Sequence, residues 1–189
     1  AKRMLRAMPH LRIIGITGSF GKTSTKHFLY RVLSEKYNVV MTPGNFNTTL
    51  GVVRTIREHL KPHHEIFIVE MGAKQRGDIK EICDLVHPTI GIVTAVGEMH
   101  LETFKSIENI QDTKFELINS LHANGIGVIN YDSKYISNYK GIISKCKIIR
   151  YAIENDADYK ATEVQYGSNG VSFKLNDEQF NSRLLGSGN

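Results

Sequence analysis

The chain has 189 residues, 41% apolar content and a net charge of +5, enough to bury one substantial core with at most a small appendage. No apolar run approaches the ~20 residues that cross a bilayer, and the first residues lack the charged, apolar and small-residue order of a signal peptide. These features exclude membrane insertion and lead us to expect a soluble, cytoplasmic protein.

The two cysteines, Cys83 and Cys146, match no metal spacing and are expected to be reduced structural residues. Lysines and arginines are scattered, with a small cluster at Lys2, Arg3 and Arg6 and no basic-aromatic RNA motif. An anionic small substrate therefore explains the charge better than nucleic acid does.

In chain order, AKRMLRAMPH reads as a helical lead-in before Pro9. LRIIGIT, Leu11 to Thr17, is a short β-branched run that reads as a buried strand. It runs into GSFGKT, Gly18 to Thr23, and then into a helix over 23–35 with Phe28, Leu29, Val32 and Leu33 at helical spacing. Gly-Lys-Thr ends a P-loop, although the general pattern wants a glycine where Ile16 stands, so the match is to a shorter variant. Its chemistry survives. Gly18 and Gly21 allow positive φ and close backbone approach, so that N–H groups from Ser19, Phe20, Gly21 and Ser24 converge on phosphate oxygens. The helix starting near Lys22 adds its partial positive charge. Lys22 would reach the β and γ phosphates, and the Thr23 hydroxyl would ligate Mg2+. ATP is preferred to GTP, because the guanine signature asparagine-lysine-x-aspartate is missing.

Further strands are expected at 38–42, 65–70, 89–96, 125–130 and 147–151, and helices at 49–60, 78–86, 106–121 and 133–144. Regular alternation predicts an α/β fold, a mostly parallel sheet with helices on both faces in the P-loop NTPase manner. After Tyr151, turn signals at Gly167 to Gly170 and at Asn176 to Asp177 predict a small antiparallel appendage near the C-terminus. The chain begins without Met and stops at LLGSGN just after a strand-like run, so a fragment of a longer protein is expected.

Three places after strands carry chemistry. Glu70, ending EIFIVE, is set to hold magnesium through its oxygens or through water; its plainer reading is a strand-end carboxylate. His100, in TAVGEMHLETF, lies just beyond the fourth predicted strand, a metal or phosphate position, though a loop histidine is ordinarily solvated. Asn45 and Asn47, in GNFNTT, can contact a peptide or phosphate, or else simply form a turn capping the helix from Thr49.

GITGSFGKTSTK, TPGNFNTTLGVV, VEMGA, VGEMHLETF and TKFEL, in this order, resemble the central ATPase domain of the Mur ligases, and most closely the branch that adds D-alanyl-D-alanine. The resemblance runs from about Ile13 through Asp132 and more faintly to Asn189. It implies that the whole chain, 1–189, is the central ATP-binding domain, with N-terminal UDP-substrate and C-terminal domains lying outside it. It implies ATP and Mg2+ as cofactors, and UDP-N-acetylmuramoyl tripeptide and D-alanyl-D-alanine as partners of a monomer. Lys22 and Thr23 resemble the P-loop lysine and metal-binding threonine, Glu70 the magnesium glutamate and His100 the magnesium-associated histidine. Lys114, which by itself reads as an exposed helix lysine, resembles the lysine that the family carries as a carbamate, so the catalytic set implied is Lys22, His100 and Lys114. Asn45 and Asn47 resemble a substrate-facing loop, with Thr48 where many relatives have asparagine. Asn130 and Asp132 match a loop bordering the nucleotide. LLGSGN resembles a base-contacting His-Asn motif in which Gly188 replaces the histidine and Asn189 keeps the asparagine. The expected reaction is ATP-dependent amide formation through an acyl phosphate, with weak nucleotide binding and no ligation by these 189 residues alone. The alternatives are a folylpolyglutamate synthase-like ligase and a P-loop binding module or nucleic-acid-associated regulator without ligase chemistry.

Overall fold

A computed structural model describes residues 1–98 and 101–183. After a short helix α1 (Lys2–Arg6), strand β1 (Arg12–Thr17) leads into α2 (Lys22–Leu33), followed by β2 (Val39–Met41), α3 (Thr49–Glu58), β3 (Ile66–Glu70), α4 (Asp78–Val86) and β4 (Ile90–Val93). Then come α5 (Leu101–Phe104), α6 (Ile107–Asn119), β5 (Ile126–Asn130), α7 (Lys134–Ser137) and β6 (Lys147–Ala152). Strands β7 (Tyr159–Gly167), β8 (Gly170–Leu175) and β9 (Glu178–Ser182) complete the fold. The sheet order is β2-β3-β1-β4-β5-β6-β7-β8-β9, parallel from β2 to β7 and antiparallel from β7 to β9.

The β-branched runs form central strands because both of their faces are covered. Along β1 and β3, Ile13, Phe67 and Val69 pack with Val52 and Ile56 of α3 and Ile79 and Ile82 of α4. The alternate residues Ile14, Ile16, Ile66 and Ile68 face the other way, against Leu29 and Leu33 of α2. This period of two in the strands set against a helical stripe is what makes the layers interlock. Gly15 leaves room for α6: a Cβ there would lie 2.7 Å from Leu117 Cδ1 and 2.9 Å from Met71 Cε.

The appendage continues the main sheet through Tyr151↔Tyr159 and Ala152↔Lys160. Asn176 and Asp177 both take positive φ, 49° and 66°, as the two-residue hairpin turn between β8 and β9 requires.

Two boundaries differ from expectation by more than two residues. The helix expected over 133–144 stops at Ser137, and beyond it the Asn119 side chain supplies the backbone partners, donating to Gly141 O and accepting from Ile143 N at 2.9 Å. Of residues 140–144 only Ile142 packs toward the core, and Ile143 is 81% exposed, too little apolar contact to hold a helical face there. The strand expected over 89–96 ends at Val93, because the chain turns across the glycine loop: Thr94 N donates to Thr17 O at 3.0 Å and Ser19 N to Ala95 O at 2.7 Å.

Replacing Gly15 by Ala sets a methyl against the side-chain ends of Leu117 and Met71, which must repack, and urea denaturation should show a loss of about 1 kcal/mol.

Candidate active site

The carboxyl ends of β1, β3 and β4 meet where connections leave in opposite directions, since β1 leads by way of α2 to β2 and β4 leads by way of α6 to β5. Such a point is a crevice in open α/β sheets. Here it is a cleft of about 570 Å³ whose lining includes Gly18, Lys22, Asn47, Asp78 and Lys114.

Gly18 and Gly21 have φ of 153° and 77°. A side chain on Gly18 would collide with Thr94 Oγ1, whose hydroxyl donates to Phe20 O and Thr17 O. Gly21 caps α2, and the first intrahelical bond runs from Thr25 N to Gly21 O. The N–H groups of Lys22, Thr23 and Ser24 therefore point out of the helix end, the geometry of an anion site. Lys22 Nζ curls over the loop to donate to Gly18 O at 2.8 Å. Its burial lowers the ammonium pKa, against the opposing charge of Glu70.

Ser19, expected at the nucleotide, has its polar groups turned toward the protein. Its N–H donates to Ala95 O and its hydroxyl accepts from Gly97 N at 3.0 Å. It braces the loop against residues 95–97. Phe20 is 56% exposed and lies against Gly97, where a Cβ would come within 2.7 Å of the ring.

Glu70 ends β3 inside the protein, only 2% exposed. Its Oε2 accepts from Thr23 Oγ1 at 3.1 Å and pairs with Lys26 Nζ at 2.8 Å, while Oε1 accepts from Asn47 Nδ2 at 3.2 Å. Burial alone would raise the carboxyl pKa; the Lys26 hydrogen bond and charge, with Asn47 and Thr23, outweigh it and hold the group ionised. Asn47 is tied in further, its carbonyl accepting from Gly72 N at 2.8 Å. Thr48 caps α3, its hydroxyl accepting from Gly51 N. Asn45 is exposed at the tip of this loop, and its carbonyl accepts from Asn47 N.

Lys114 corrects the plain sequence reading. It is 5% exposed, not a surface lysine. Glu116, two residues on, accepts from Gly77 N at 2.6 Å and Lys80 N at 2.9 Å, capping α4 from α6 and so fixing the helix that carries Lys114 into the cleft. Burial pushes the Lys114 ammonium down to about 8, the charge of Lys22 adds to that, and Glu116 and Asp78 oppose it.

Beyond β5, Asn130 Oδ1 accepts from Asp132 N. The Asp132 carboxylate accepts from the N–H groups of Ile153, Glu154 and Asn155, at 2.6 Å from the first, so it anchors the turn after β6 with the oxygens that were expected to face a nucleotide. His100 and Asn189 lie outside the described residues.

Sequence reasoning missed Lys26, which has no exposed surface. The signal was present: Lys26 shares the core-facing stripe of α2 with Leu29 and Leu33, an unusual place for a lysine unless it has a buried partner.

The family model of the Mur ligase middle domain matches residues 16–189. The chain belongs to the Mur ligase middle domain family. It is 32% identical over 165 residues to the UDP-N-acetylmuramoyl-tripeptide--D-alanyl-D-alanine ligase of Escherichia coli K12, covering 87% of this chain and 36% of that protein. The ligase of the same name from Bacillus subtilis 168 is 32% identical over 164 residues, covering 87% of this chain and 35% of that one. Among solved structures, MurF ligase from Thermotoga maritima in complex with ADP superimposes with a TM-score of 0.85 at 31% identity, over 98% of this chain and 43% of that one. This Mur ligase middle domain thus spans little more than a third of the length of the curated relatives it matches. No helix among its described residues is long and apolar enough to cross a membrane.

A lysine whose pKa falls on folding binds fewer protons in the native than in the unfolded state between pH 8 and 10.5, so stability rises with pH across that window. Urea unfolding in CO2-free buffer should show a gain of about 1 kcal/mol from pH 7 to pH 9, and Lys114→Met should remove it.

Proposed function

We propose that this chain is the ATP-binding and phosphoryl-transfer core of a cytoplasmic amide ligase of cell-wall precursor synthesis, one that joins D-alanyl-D-alanine to a UDP-N-acetylmuramoyl tripeptide. The carrying observation is that the Lys22 loop and a buried lysine at 114 line one cleft, and that the Thr23 and Glu70 oxygens, 3.1 Å apart, adjoin it through Asn47, which lines the cleft and donates to Glu70. The names of the relatives supply the substrates, and the ADP of the Thermotoga structure supports the nucleotide.

Carboxylates do not acylate amines in water; phosphorylation makes them electrophilic. In the proposed reaction a carboxylate oxygen of the tripeptide attacks the γ phosphorus of ATP, the bond to the bridging oxygen breaks, and ADP leaves an acyl phosphate. The amine of D-alanyl-D-alanine then attacks the acyl carbon, loses a proton, and expels phosphate. The outward N–H groups of Lys22, Thr23 and Ser24 hold the phosphate chain. Lys22, already folded over the loop, exchanges its contact with Gly18 O for phosphate oxygens and spreads the charge on the transferring group. Asn47, fixed between Glu70 and Gly72, is set to orient the acceptor peptide.

The hydroxyl of Thr23 and the carboxylate of Glu70 are hard oxygen donors suited to Mg2+. When bound, that ion supplies charge neutralisation for the phosphates and the incoming carboxylate. A lysine ammonium is no metal ligand, but a Lys114 pKa near 8 leaves an appreciable neutral amine at physiological pH. That amine can attack CO2, forming an N–C bond and releasing a proton. The resulting carbamate is an anionic oxygen donor in place of a cation, and Lys114 serves here in that form. His100 is assigned to the metal and Asn189 to the base by family resemblance.

Calorimetry with Mg-ATP tests the nucleotide site: Lys22→Ala should weaken binding at least tenfold, and equal affinities would overturn the phosphate-loop role. For the modification, 13C NMR in labelled bicarbonate should show a carbamate resonance that Lys114→Gln removes; its absence from the unaltered chain would count against Lys114 as a metal ligand.

A further inference from the structure

The Lys26 ammonium, completely enclosed, donates to Gly44 O at 2.6 Å and pairs with Glu70 Oε2 at 2.8 Å. One cation thus joins three elements: α2, which carries the phosphate loop; the end of β3; and the loop of residues 43–48. Gly44 takes φ of 50° to present its carbonyl in this way. Thr23, the other partner of Oε2, is exposed, so a metal ion held by Thr23 and Glu70 would come from the Thr23 side, opposite the enclosed Lys26.

The charges at the site decide the consequence. Glu70 is matched one for one by Lys26, and in the adjoining cleft, apart from Lys114, the cations Lys22 and Lys74 are balanced in number by Asp78 and Glu81. A free divalent cation would therefore meet a carboxylate whose charge is already neutralised by Lys26, whereas a cation carried on a triphosphate arrives with its own negative charge.

We propose that Lys26 is a positioning residue, a resident counter-cation that sets Glu70 and the 43–48 loop together and keeps the carboxylate from taking a divalent cation unless a phosphate chain accompanies it. The inference rests on the reading of Glu70 as the metal carboxylate, and goes beyond it by making metal entry depend on nucleotide. A merely structural lysine would stabilise the fold without altering the preference for free over nucleotide-borne metal.

The test uses the chain of residues 1–189, Lys26→Met, and Lys26→Met combined with Glu70→Gln. Two quantities are read: Mn2+ binding without nucleotide, by electron paramagnetic resonance, and hydrogen exchange of the amides of residues 44–48. Lys26→Met should bind Mn2+ at least tenfold more tightly than the unaltered chain and exchange faster across 44–48. The double variant should lose the Mn2+ gain and keep the fast exchange. Unchanged Mn2+ affinity in Lys26→Met, or unchanged exchange in either variant, would overturn the proposal. Should Lys26→Met fail to fold, Lys26→Gln carries the test through the same two readings: tighter Mn2+ binding with faster exchange across 44–48 supports the proposal, and Mn2+ affinity equal to that of the unaltered chain overturns it. A chain that fails to bind Mg-ATP yet shows both changes loses the ligase reading and keeps this role of Lys26; Mg-ATP binding with neither change does the reverse.

Discussion

A lysine and a glutamate without access to water are tolerable only as a pair, and the arrangement around Lys26 and Glu70 follows from that constraint. Removing one partner would leave a buried charge worth about 3–5 kcal/mol of destabilisation, so the end of β3, the first turns of α2 and the Gly44 turn are held to a single geometry. Thr42 joins the same group, its hydroxyl accepting from Glu70 N at 3.0 Å. The phosphate loop, the Glu70 carboxylate and the asparagine loop are thereby parts of one rigid body.

The sheet gives this body its footing. β1 lies between β3 and β4, so the glycine loop has a strand end on each side, and threonines stitch the three together: Thr17 Oγ1 donates to Met71 O, and Thr94 Oγ1 to Thr17 O. These bonds satisfy backbone carbonyls at the point where the ladder stops. The helices then bring groups from elsewhere in the chain. α6 crosses the sheet where Gly15 and Gly91 leave space for Leu117, and is clamped to α4 by Glu116. That crossing is what places Lys114 in the cleft, beside the charge of Lys22.

The electrostatic character of the cleft is therefore a property of assembly. Lys22 and Lys114 are both pushed toward neutrality by burial, while Glu70 is kept ionised by Lys26. A phosphate chain entering beside Lys22 supplies the negative charge that its desolvated ammonium lacks, while burial keeps the Lys114 amine available for reaction. The ligase reading uses this desolvation twice, once to grip phosphate at Lys22 and once to keep Lys114 reactive.

Most of the fold was legible along the chain, because its signals are local. Short β-branched runs such as RIIGIT became strands, Leu29 and Leu33 of the stripe read over 28–33 became the half-buried inner face of α2 while Val32 of that stripe stayed 69% exposed, and Asn176 and Asp177 adopted the positive φ their turn demands. The glycine loop was legible for the same reason: backbone permissiveness, helix end and lysine lie within six residues. Wherever the deciding partner is remote in sequence, legibility failed. Asn119 ended the helix expected over 133–144 by binding Gly141 and Ile143, and Asp132 was claimed by the turn at 153–155. Lys114 reads as a surface lysine until α6 is laid on the sheet, and Lys26 reads as polar until Glu70, 44 positions away, is beside it. Local sequence determined which segments are strands, helices and phosphate loop, because backbone sterics and hydrophobic period act over a few residues. Tertiary packing alone decided which charged groups are buried and paired, because desolvation and Coulomb energy depend on every neighbour in space.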